Sequence, residues 1–282
     1  MNNIQLVECP RDAMQGIPEF ISTDNKIRYI NSLIEVGFDI IDFGSFVSPK
    51  FVPQMRDTEK VLSKLKLKKT TSLLSIVVNK QGAAKANTFP QIKYIGYPFS
   101  ISETFQLKNS NKTVSESYLL VEEIQNMCSK SNQELIVYIS MAFGNIYNDK
   151  YSKEILLENI HKLINLGVKN FTLADTIGIA NQKDIYSIFL ELNKIDQAFF
   201  GLHLHTEQKN ALEKIESAWN AGCTRFDSTI RGFGGCPFAK NELVGNISTE
   251  NLINFIEVNK LKHKLNLLAL ESAYNNSMSI FK

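Results

Sequence analysis

The 282-residue sequence predicts an α/β protein with a (β/α)8 TIM-barrel fold, and three observations carry this prediction. Eight short runs rich in β-branched, aromatic and aliphatic residues recur along the chain. Segments of helical periodicity separate many of these runs, and glycines that end helices precede several of them. Strict alternation of strand and helix implies parallel pairing, and eight such units favour closure into a barrel.

The strand-like runs are 4–9, 38–43, 72–78, 92–97, 135–141, 170–174, 199–205 and 225–230. The helical segments include 23–36, 115–129, 153–166, 184–193 and 211–221, with two C-terminal helices at 249–260 and 265–277. Gly37, Gly167 and Gly222 each follow the last periodic residue of a helix. Segments 81–91, 109–113 and 144–151 are interpreted as loops.

One catalytic domain over residues 1–282 is expected, because barrels of this kind reach this length as a single unit. The chain is 44% hydrophobic and 21% charged, a balance that allows a large core and excludes a disordered chain. A doubly wound open sheet is the alternative fold. The glycine-rich dinucleotide fingerprint is absent after the first strand, and eight units suit closure better.

Charge and cysteine content narrow the class of protein. The net charge is +2, and the dense basic run at Lys64, Lys66, Lys68 and Lys69 is interpreted as a solvated helix end, so no nucleic-acid partner is expected. No stretch approaches membrane-spanning length, and no leader peptide is apparent. Four cysteines without CxxC spacing indicate a reducing compartment, so a cytoplasmic location is expected.

Polar residues recur at the predicted carboxyl ends of at least six strands, where barrel enzymes hold their reactive groups. They are Arg11 and Asp12 after the first strand, Asp42 in the second, Ser102 and Glu103 after the fourth, Asp175 and Thr176 after the sixth, His203 and His205 in the seventh, and 231–236 after the eighth. This distribution indicates a catalytic site at that end of the barrel.

His203 and His205 stand two residues apart in a strand, so their side chains project to the same face. With Asp12 arriving from the first strand, they form a candidate N,N,O metal site. A pair of hydrogen-bonded core histidines is the competing interpretation.

The other polar residues also have structural interpretations. Arg11 and Asp12 can form an ordinary ion pair, and Asp42 and Asp175 can accept backbone amides at a helix start. Cys236 stands between a glycine pair and a proline, a setting in which a thiol can act as an acid or base. The remaining three cysteines are expected to pack in the core.

Five segments together resemble the 3-hydroxy-3-methylglutaryl-CoA lyase family, within a wider group of metal-dependent barrel lyases and acyl transferases. The resemblance runs from about residue 4 to residue 260. Its segments are 10–15 (PRDAMQ), 45–55 (SFVSPKFVPQM), 175–178 (DTIG), 203–205 (HLH) and 232–237 (GFGGCP). The second and last segments favour the lyase over the related synthases.

The resemblance implies a role for each matching residue. It makes Asp12, His203, His205 and Asn246 the ligands of a divalent metal, Mg2+ or Mn2+. It makes Arg11 the residue that polarises the thioester, Cys236 a loop thiol involved in catalysis, and Asp42 a catalytic residue where the family usually has glutamate. Asp12 and His203 are candidate bases, and Arg11, Ser45, Asp175 and Thr176 are expected to contact the substrate.

The implied reaction is retro-Claisen cleavage of 3-hydroxy-3-methylglutaryl-CoA to acetyl-CoA and acetoacetate, as in leucine degradation. The alternatives are a related lyase or condensing enzyme that acts on another acyl-CoA or 2-oxo acid, and a non-catalytic barrel that binds a ligand. The chain departs from the family pattern at Asp42, at Ala13, where glycine is usual, and at Thr206-Glu207, where Asp-Thr is common. A homodimer is a further expectation.

Overall fold

The computed structural model describes residues 4–235 and 244–281, and eight strands within them form one closed barrel. The strands are β1 (Gln5–Glu8), β2 (Ile40–Ser45), β3 (Ser72–Ile76), β4 (Ile92–Ser100), β5 (Glu134–Ser140), β6 (Asn170–Asp175), β7 (Phe199–Leu204) and β8 (Arg225–Ser228). Each pairs in parallel with the next, and β8 closes onto β1. The predicted (β/α)8 barrel is therefore confirmed.

Helices surround the barrel and cross between its strands. They are α1 (Pro10–Gln15), α2 (Thr23–Val36), α3 (Thr58–Leu62), α4 (Lys80–Asn87), α5 (Glu103–Ser110), α6 (Val114–Ser131), α7 (Lys153–Asn165), α8 (Gln182–Leu192), α9 (Gln208–Asn220), α10 (Thr249–Val258) and α11 (Leu267–Ser277). The glycine that ends α2, Gly37, has the left-handed conformation (φ 87°) that the helix-stop prediction implies. No helix in residues 4–235 or 244–281 is long and apolar enough to cross a membrane.

The interpretation of 81–91 as a loop is wrong, because α4 occupies most of it. Asn79 caps this helix by accepting a hydrogen bond from the Gly82 N–H (2.7 Å). Ala83 and Ala86, three residues apart, bury one face of the helix. A Cβ at Gly82 would lie 2.6 Å from the Phe46 carbonyl oxygen, so the glycine that suggested a loop instead permits close packing.

Two apolar layers hold the fold together. The smaller lies inside the barrel and is formed by residues in or next to β1, β2, β3 and β5, namely Val7, Cys9, Ile40, Leu74, Ile76, Ile136 and Tyr138. The larger lies between the barrel and the helices around it. The filled interior makes the barrel a packed core, and its two ends leave open space for a ligand.

The segment that follows residue 243 returns across the carboxyl end of the barrel. Asn246 forms an antiparallel bridge with His205, and Ser248 forms a parallel bridge with Thr229. From there the chain enters α10, and α11 packs against α2. The first bridge places Asn246 next to His205, which directly follows β7.

Glu8 is a fully buried carboxyl group that links three elements. Its oxygens accept hydrogen bonds from the Ile230 N–H (2.8 Å) and from the Thr249 hydroxyl (2.6 Å) at the start of α10. Burial raises the pKa of Glu8 to about 8, although both hydrogen bonds lower it. The folded chain therefore favours the protonated carboxyl at neutral pH.

Glu8→Gln should stabilise the protein at alkaline pH. Because the pKa in the folded state lies above the ordinary value of 4.5, the stability from protonated Glu8 is fully present below that pH and declines as pH rises towards about 8. Glutamine stays neutral and can accept from Ile230 and donate to Thr249. Melting curves should show little difference at pH 5 and a gain for the variant at pH 8.5, at about 1.4 kcal/mol per unit of pKa shift.

Glu122→Gln, at an exposed position of α6, is the matched control and should show no pH-dependent gain. Equal melting temperatures for Glu8→Gln and the wild type at both pH values would contradict the assignment of a raised pKa.

Candidate active site

A cavity of 540 Å3 opens at the carboxyl ends of the strands. Seven of the residues that the sequence singled out line it: Arg11, Asp12, Asp42, Ser45, Thr176, His203 and His205. They come from α1, which follows β1, from β2 and β7, and from the positions directly after β6 and β7. The barrel thus brings together side chains that stand up to 194 positions apart in the sequence, as 205 minus 11 gives.

The two histidines face each other at the floor of this cavity. Their Nε2 atoms lie 3.3 Å apart, and both side chains are buried. His203 Nδ1 lies 3.2 Å from Asp227 Oδ2, and His205 Nδ1 lies 3.0 Å from the Thr176 carbonyl oxygen. Since both of these partners are acceptors, each Nδ1 carries hydrogen, and a neutral ring then directs the lone pair of its Nε2 into the cavity.

Two facing lone pairs at this distance need a cation between them. Burial, together with the charge of His203, lowers the pKa of His205 to about 4. Burial also lowers the pKa of His203, but the hydrogen bond and charge of Asp227 outweigh it and raise the pKa above its ordinary value. One proton can therefore lie between the rings, and a metal ion can replace it.

Asp12 completes a group of three possible ligands. One of its oxygens and one nitrogen of each histidine lie within 4.8 Å of one another. Burial raises the pKa of Asp12, but Arg11 and the two histidines outweigh it, so the pKa lies below its ordinary value and the carboxylate stays charged. An anionic oxygen beside two imidazole nitrogens is a donor set that fits a divalent cation.

Asn246 contacts this group through Asp12. Its Nδ2 donates to Asp12 Oδ2 (2.7 Å) and to the Phe233 carbonyl oxygen (2.9 Å). In this orientation the Asn246 amide nitrogen holds the Asp12 carboxylate. The Asn246 amide group would have to turn for its oxygen to coordinate a metal ion. A Cβ at Gly234 would lie 2.6 Å from Asn246 Nδ2, so only glycine lets the loop approach so closely.

A second group of possible ligands shares His203, namely Cys9, His203 and Asp227. Burial and the charges of three nearby carboxylates raise the pKa of the Cys9 thiol well above its ordinary value. A metal needs the thiolate, so this environment favours packing for Cys9.

Arg11 is held rigidly at the wall of the cavity. Its Nε and Nη2 donate to Asp42 Oδ2 (2.9 and 2.5 Å), and its Nη1 donates to Asp12 Oδ1 (3.1 Å) and Gln15 Oε1 (2.8 Å). These bonds use four of the five guanidinium hydrogens, and one hydrogen of Nη2 has no partner in residues 4–235 or 244–281. A fixed positive charge with a free donor can bind a substrate oxygen.

Asp42 is buried, and both of its bonds to Arg11 fall on one oxygen. The other oxygen, Oδ1, has no hydrogen-bond partner in the described parts of the chain. Burial raises the pKa of Asp42 to about 6, although the charge of Arg11 lowers it. The carboxyl group is thus available to exchange a proton or accept a hydrogen bond in the cavity.

Besides Arg11, the other three expected substrate contacts differ in position. Ser45 and Thr176 line the cavity, where Thr176 Oγ1 also accepts the Met141 N–H (2.9 Å). Asp175 does not line it, because its oxygens accept the Ile179 and Ala180 N–H groups (2.9 Å each). Its position favours the loop-capping interpretation over substrate contact.

Sequence reasoning missed two residues of this network. Gln15 bonds both Arg11 and Asp12 from the last turn of α1, and Asp227 orients His203 from β8. The four-residue spacing of Arg11 and Gln15 in a helix was the available signal for the first. The inward-facing position of Asp227 in β8 was the signal for the second. Cys236, the predicted catalytic thiol, lies outside the described residues.

The family model described as HMGL-like matches residues 3–276 of the chain. Hydroxymethylglutaryl-CoA lyase YngG of Bacillus subtilis (strain 168) is 32% identical over 265 residues, which cover 94% of this chain and 88% of that protein. The mitochondrial hydroxymethylglutaryl-CoA lyase of Homo sapiens is 32% identical over 278 residues, which cover 96% and 84%.

A solved structure supports the same relationship. The HMG-CoA lyase of Acinetobacter baumannii, in complex with coenzyme A and 3-methylmalate, superposes with a TM-score of 0.91 at 32% identity. The alignment covers 99% of this chain and 91% of that one.

Proposed function

Since the chain belongs to the HMGL-like family, we propose that it is a carbon–carbon lyase that cleaves 3-hydroxy-3-methylglutaryl-CoA to acetyl-CoA and acetoacetate. The observation that carries this proposal is the cavity in which a fixed guanidinium, a buried carboxyl and a possible metal site face one another. Cleavage of this substrate needs a base for its hydroxyl group and a positive partner for the enolate that leaves.

We propose Asp12, His203 and His205 as the ligands of a divalent ion, Mg2+ or Mn2+, with Asn246 as a fourth ligand. When bound, such an ion lowers the pKa of a coordinated hydroxyl group and neutralises developing negative charge. Asp227 and the Thr176 carbonyl oxygen support this role because they fix the histidine tautomers that leave both Nε2 lone pairs free.

The reaction begins when a base removes the proton of the C3 hydroxyl group. Asp12 and His203 are the candidate bases, since both line this cavity. Asp12 keeps a second carboxylate oxygen when one oxygen binds the ion, whereas His203 Nε2 can accept the proton only when it does not hold the ion. The electrons of the O–H bond then form the C3 carbonyl of acetoacetate, and the C2–C3 bond breaks. Its electron pair passes to the thioester and gives the enolate of acetyl-CoA.

Arg11 stabilises the enolate oxygen through the hydrogen of Nη2 that its neighbours leave free. Asp42 holds the guanidinium in place and serves as a nearby proton-exchanging group, while Ser45 and Thr176 contact the polar parts of the substrate. Cys236 delivers the proton that the enolate carbon takes up. The substrate is thus an acyl-CoA, and the proposed location of the enzyme is the cytoplasm. We propose a single catalytic domain in each subunit and a homodimer as the assembly.

The proposal predicts release of acetoacetate from 3-hydroxy-3-methylglutaryl-CoA in the presence of Mg2+ or Mn2+. A coupled assay should detect acetoacetate and acetyl-CoA in equal amounts, and kcat/KM should exceed that for other 3-hydroxyacyl thioesters. Preference for another thioester or a 2-oxo acid would assign the chain to a related lyase or condensing enzyme. Metal binding without turnover of any of them would indicate a non-catalytic barrel.

A further inference from the structure

A second cavity, of 610 Å3, lies at the opposite end of the barrel, where the strands begin. The starts of β1, β6, β7 and β8 line it, together with 262–265, the segment that precedes α11. None of its lining residues belongs to the catalytic cavity. The two cavities are therefore separate sites.

Arg225, the first residue of β8, carries a buried charge into this cavity, and its side chain is among the largest fully buried ones. Its Nη2 donates to the Phe171 carbonyl oxygen and to Thr172 Oγ1. Its Nε is buried without a hydrogen-bond partner, and no carboxylate forms an ion pair with the guanidinium, within residues 4–235 and 244–281. A buried charge without a counter-charge is costly, which indicates that a ligand compensates it.

The surrounding residues make room for this guanidinium. A Cβ at Gly201 would lie 2.4 Å from Arg225 Nε, so any other residue at this position would displace the arginine. The Arg225 guanidinium carbon lies 5.0 Å from the centroid of the Phe199 ring. Phe199 is 38% exposed and leaves apolar surface beside the charge.

The rim of the cavity is also positive. Three basic side chains line it, Lys262, Lys264 and Arg225, whereas Asp39 is the one carboxylate among its described lining residues. Asp39 already accepts the Leu6 N–H (2.9 Å), so it is a partner of the backbone. Tyr94 adds a hydroxyl group to the wall. The excess of positive groups and hydrogen-bond donors suits an anion.

We propose that this cavity binds a small organic anion, with a carboxylate or phosphate against Arg225 and an apolar body against Phe199. The planar guanidinium fork matches the geometry of both oxyanions. The volume falls within the range of small-molecule sites, about 300–1,000 Å3, and exceeds the need of a single ion. The proposal uses no residue of the catalytic cavity and stands independently of the proposed function.

Calorimetric titration with inorganic phosphate, benzoate and neutral benzamide tests this site. The titrations are made with Mg2+ and saturating coenzyme A, so that a ligand already competes for the catalytic cavity. Phosphate and benzoate should bind at one site, and benzamide should bind far more weakly. Arg225→Gln should raise both dissociation constants by about tenfold or more, since a charge-assisted hydrogen bond is lost.

Two further variants keep the test decisive if Arg225→Gln fails to fold. Tyr94→Phe removes one hydroxyl, and Lys262→Gln with Lys264→Gln removes the charge of the rim. Both should weaken anion binding, whereas Lys183→Gln, at an exposed position of α8, should leave it unchanged. Failure of the wild type to bind either anion, or equal affinity in these variants and Lys183→Gln, would overturn the proposal.

Discussion

His205→Ala should reduce turnover of 3-hydroxy-3-methylglutaryl-CoA to the background rate and weaken Mn2+ binding by at least about a hundredfold. The Nε2 of His205 lies 3.3 Å from that of His203, and its Nδ1 lies 3.0 Å from the Thr176 carbonyl oxygen, so the Nε2 lone pair would be available to hold the proposed ion. Without the His205 ring, the proposed ion would keep only Asp12, His203 and Asn246 as ligands. Turnover and Mn2+ binding by paramagnetic resonance measure the two effects.

Thermal stability gives a readout that does not depend on activity. Mn2+ at about a hundred times its dissociation constant should stabilise the wild-type protein by about 2.7 kcal/mol, and this gain should vanish in His205→Ala. His161→Ala, at an exposed position of α7, is the control and should retain both turnover and stabilisation. Full turnover by wild-type protein after chelation would contradict the proposed metal site.

The sequence predicted the ligand candidates of this site because strand geometry dictates them. His203 and His205 share a face through their two-residue spacing, and Asp12 follows a strand that ends at the same side of the barrel. The orientation of the Asn246 amide could not be predicted. It depends on the Phe233 carbonyl, which a glycine loop brings within 2.9 Å.

The fold was predictable for a related reason. Eight buried strands and the long crossover helices carry strong periodic patterns over many residues. The short helices carry no such pattern. The eight residues of α4 include a glycine and bury two alanines, so their sequence has no clear helical periodicity, and close packing against Phe46 stabilises the helix instead. The role of Asp175 was ambiguous for a similar reason, since a carboxylate after a strand serves a turn or a substrate equally well.

Arg11 is held more firmly than the ordinary ion pair with Asp12 that its sequence position suggests. An exposed pair with Asp12 would contribute about 1 kcal/mol or less. The Arg11 side chain is only 11% exposed, however, and it bonds Asp42, Asp12 and Gln15 at once. Burial alone would lower the pKa of Arg11, but the two carboxylates raise it, so the guanidinium stays charged. Loss of stability is therefore expected from either interpretation and cannot separate them.

Arg11→Lys should lower kcat by about a hundredfold to a thousandfold, the usual cost of losing one preorganised donor to an oxyanion. Lysine keeps the charge but lacks the planar fork that bonds two carboxylates and still leaves a hydrogen for the substrate. The loss should fall on kcat more than on KM, because the interaction strengthens as the enolate forms.

Rates for Arg11→Lys must be compared at a temperature where melting curves show the variant fully folded, so that loss of stability does not imitate loss of catalysis. Arg28, at an exposed position of α2, donates a hydrogen bond to Asn25 Oδ1. Arg28→Lys is the matched control and should keep the wild-type kcat. A folded Arg11→Lys variant with near-normal kcat would remove Arg11 from the mechanism and leave it as a structural partner of Asp42. A large loss of kcat in folded protein would instead require the guanidinium itself, since the variant retains the positive charge.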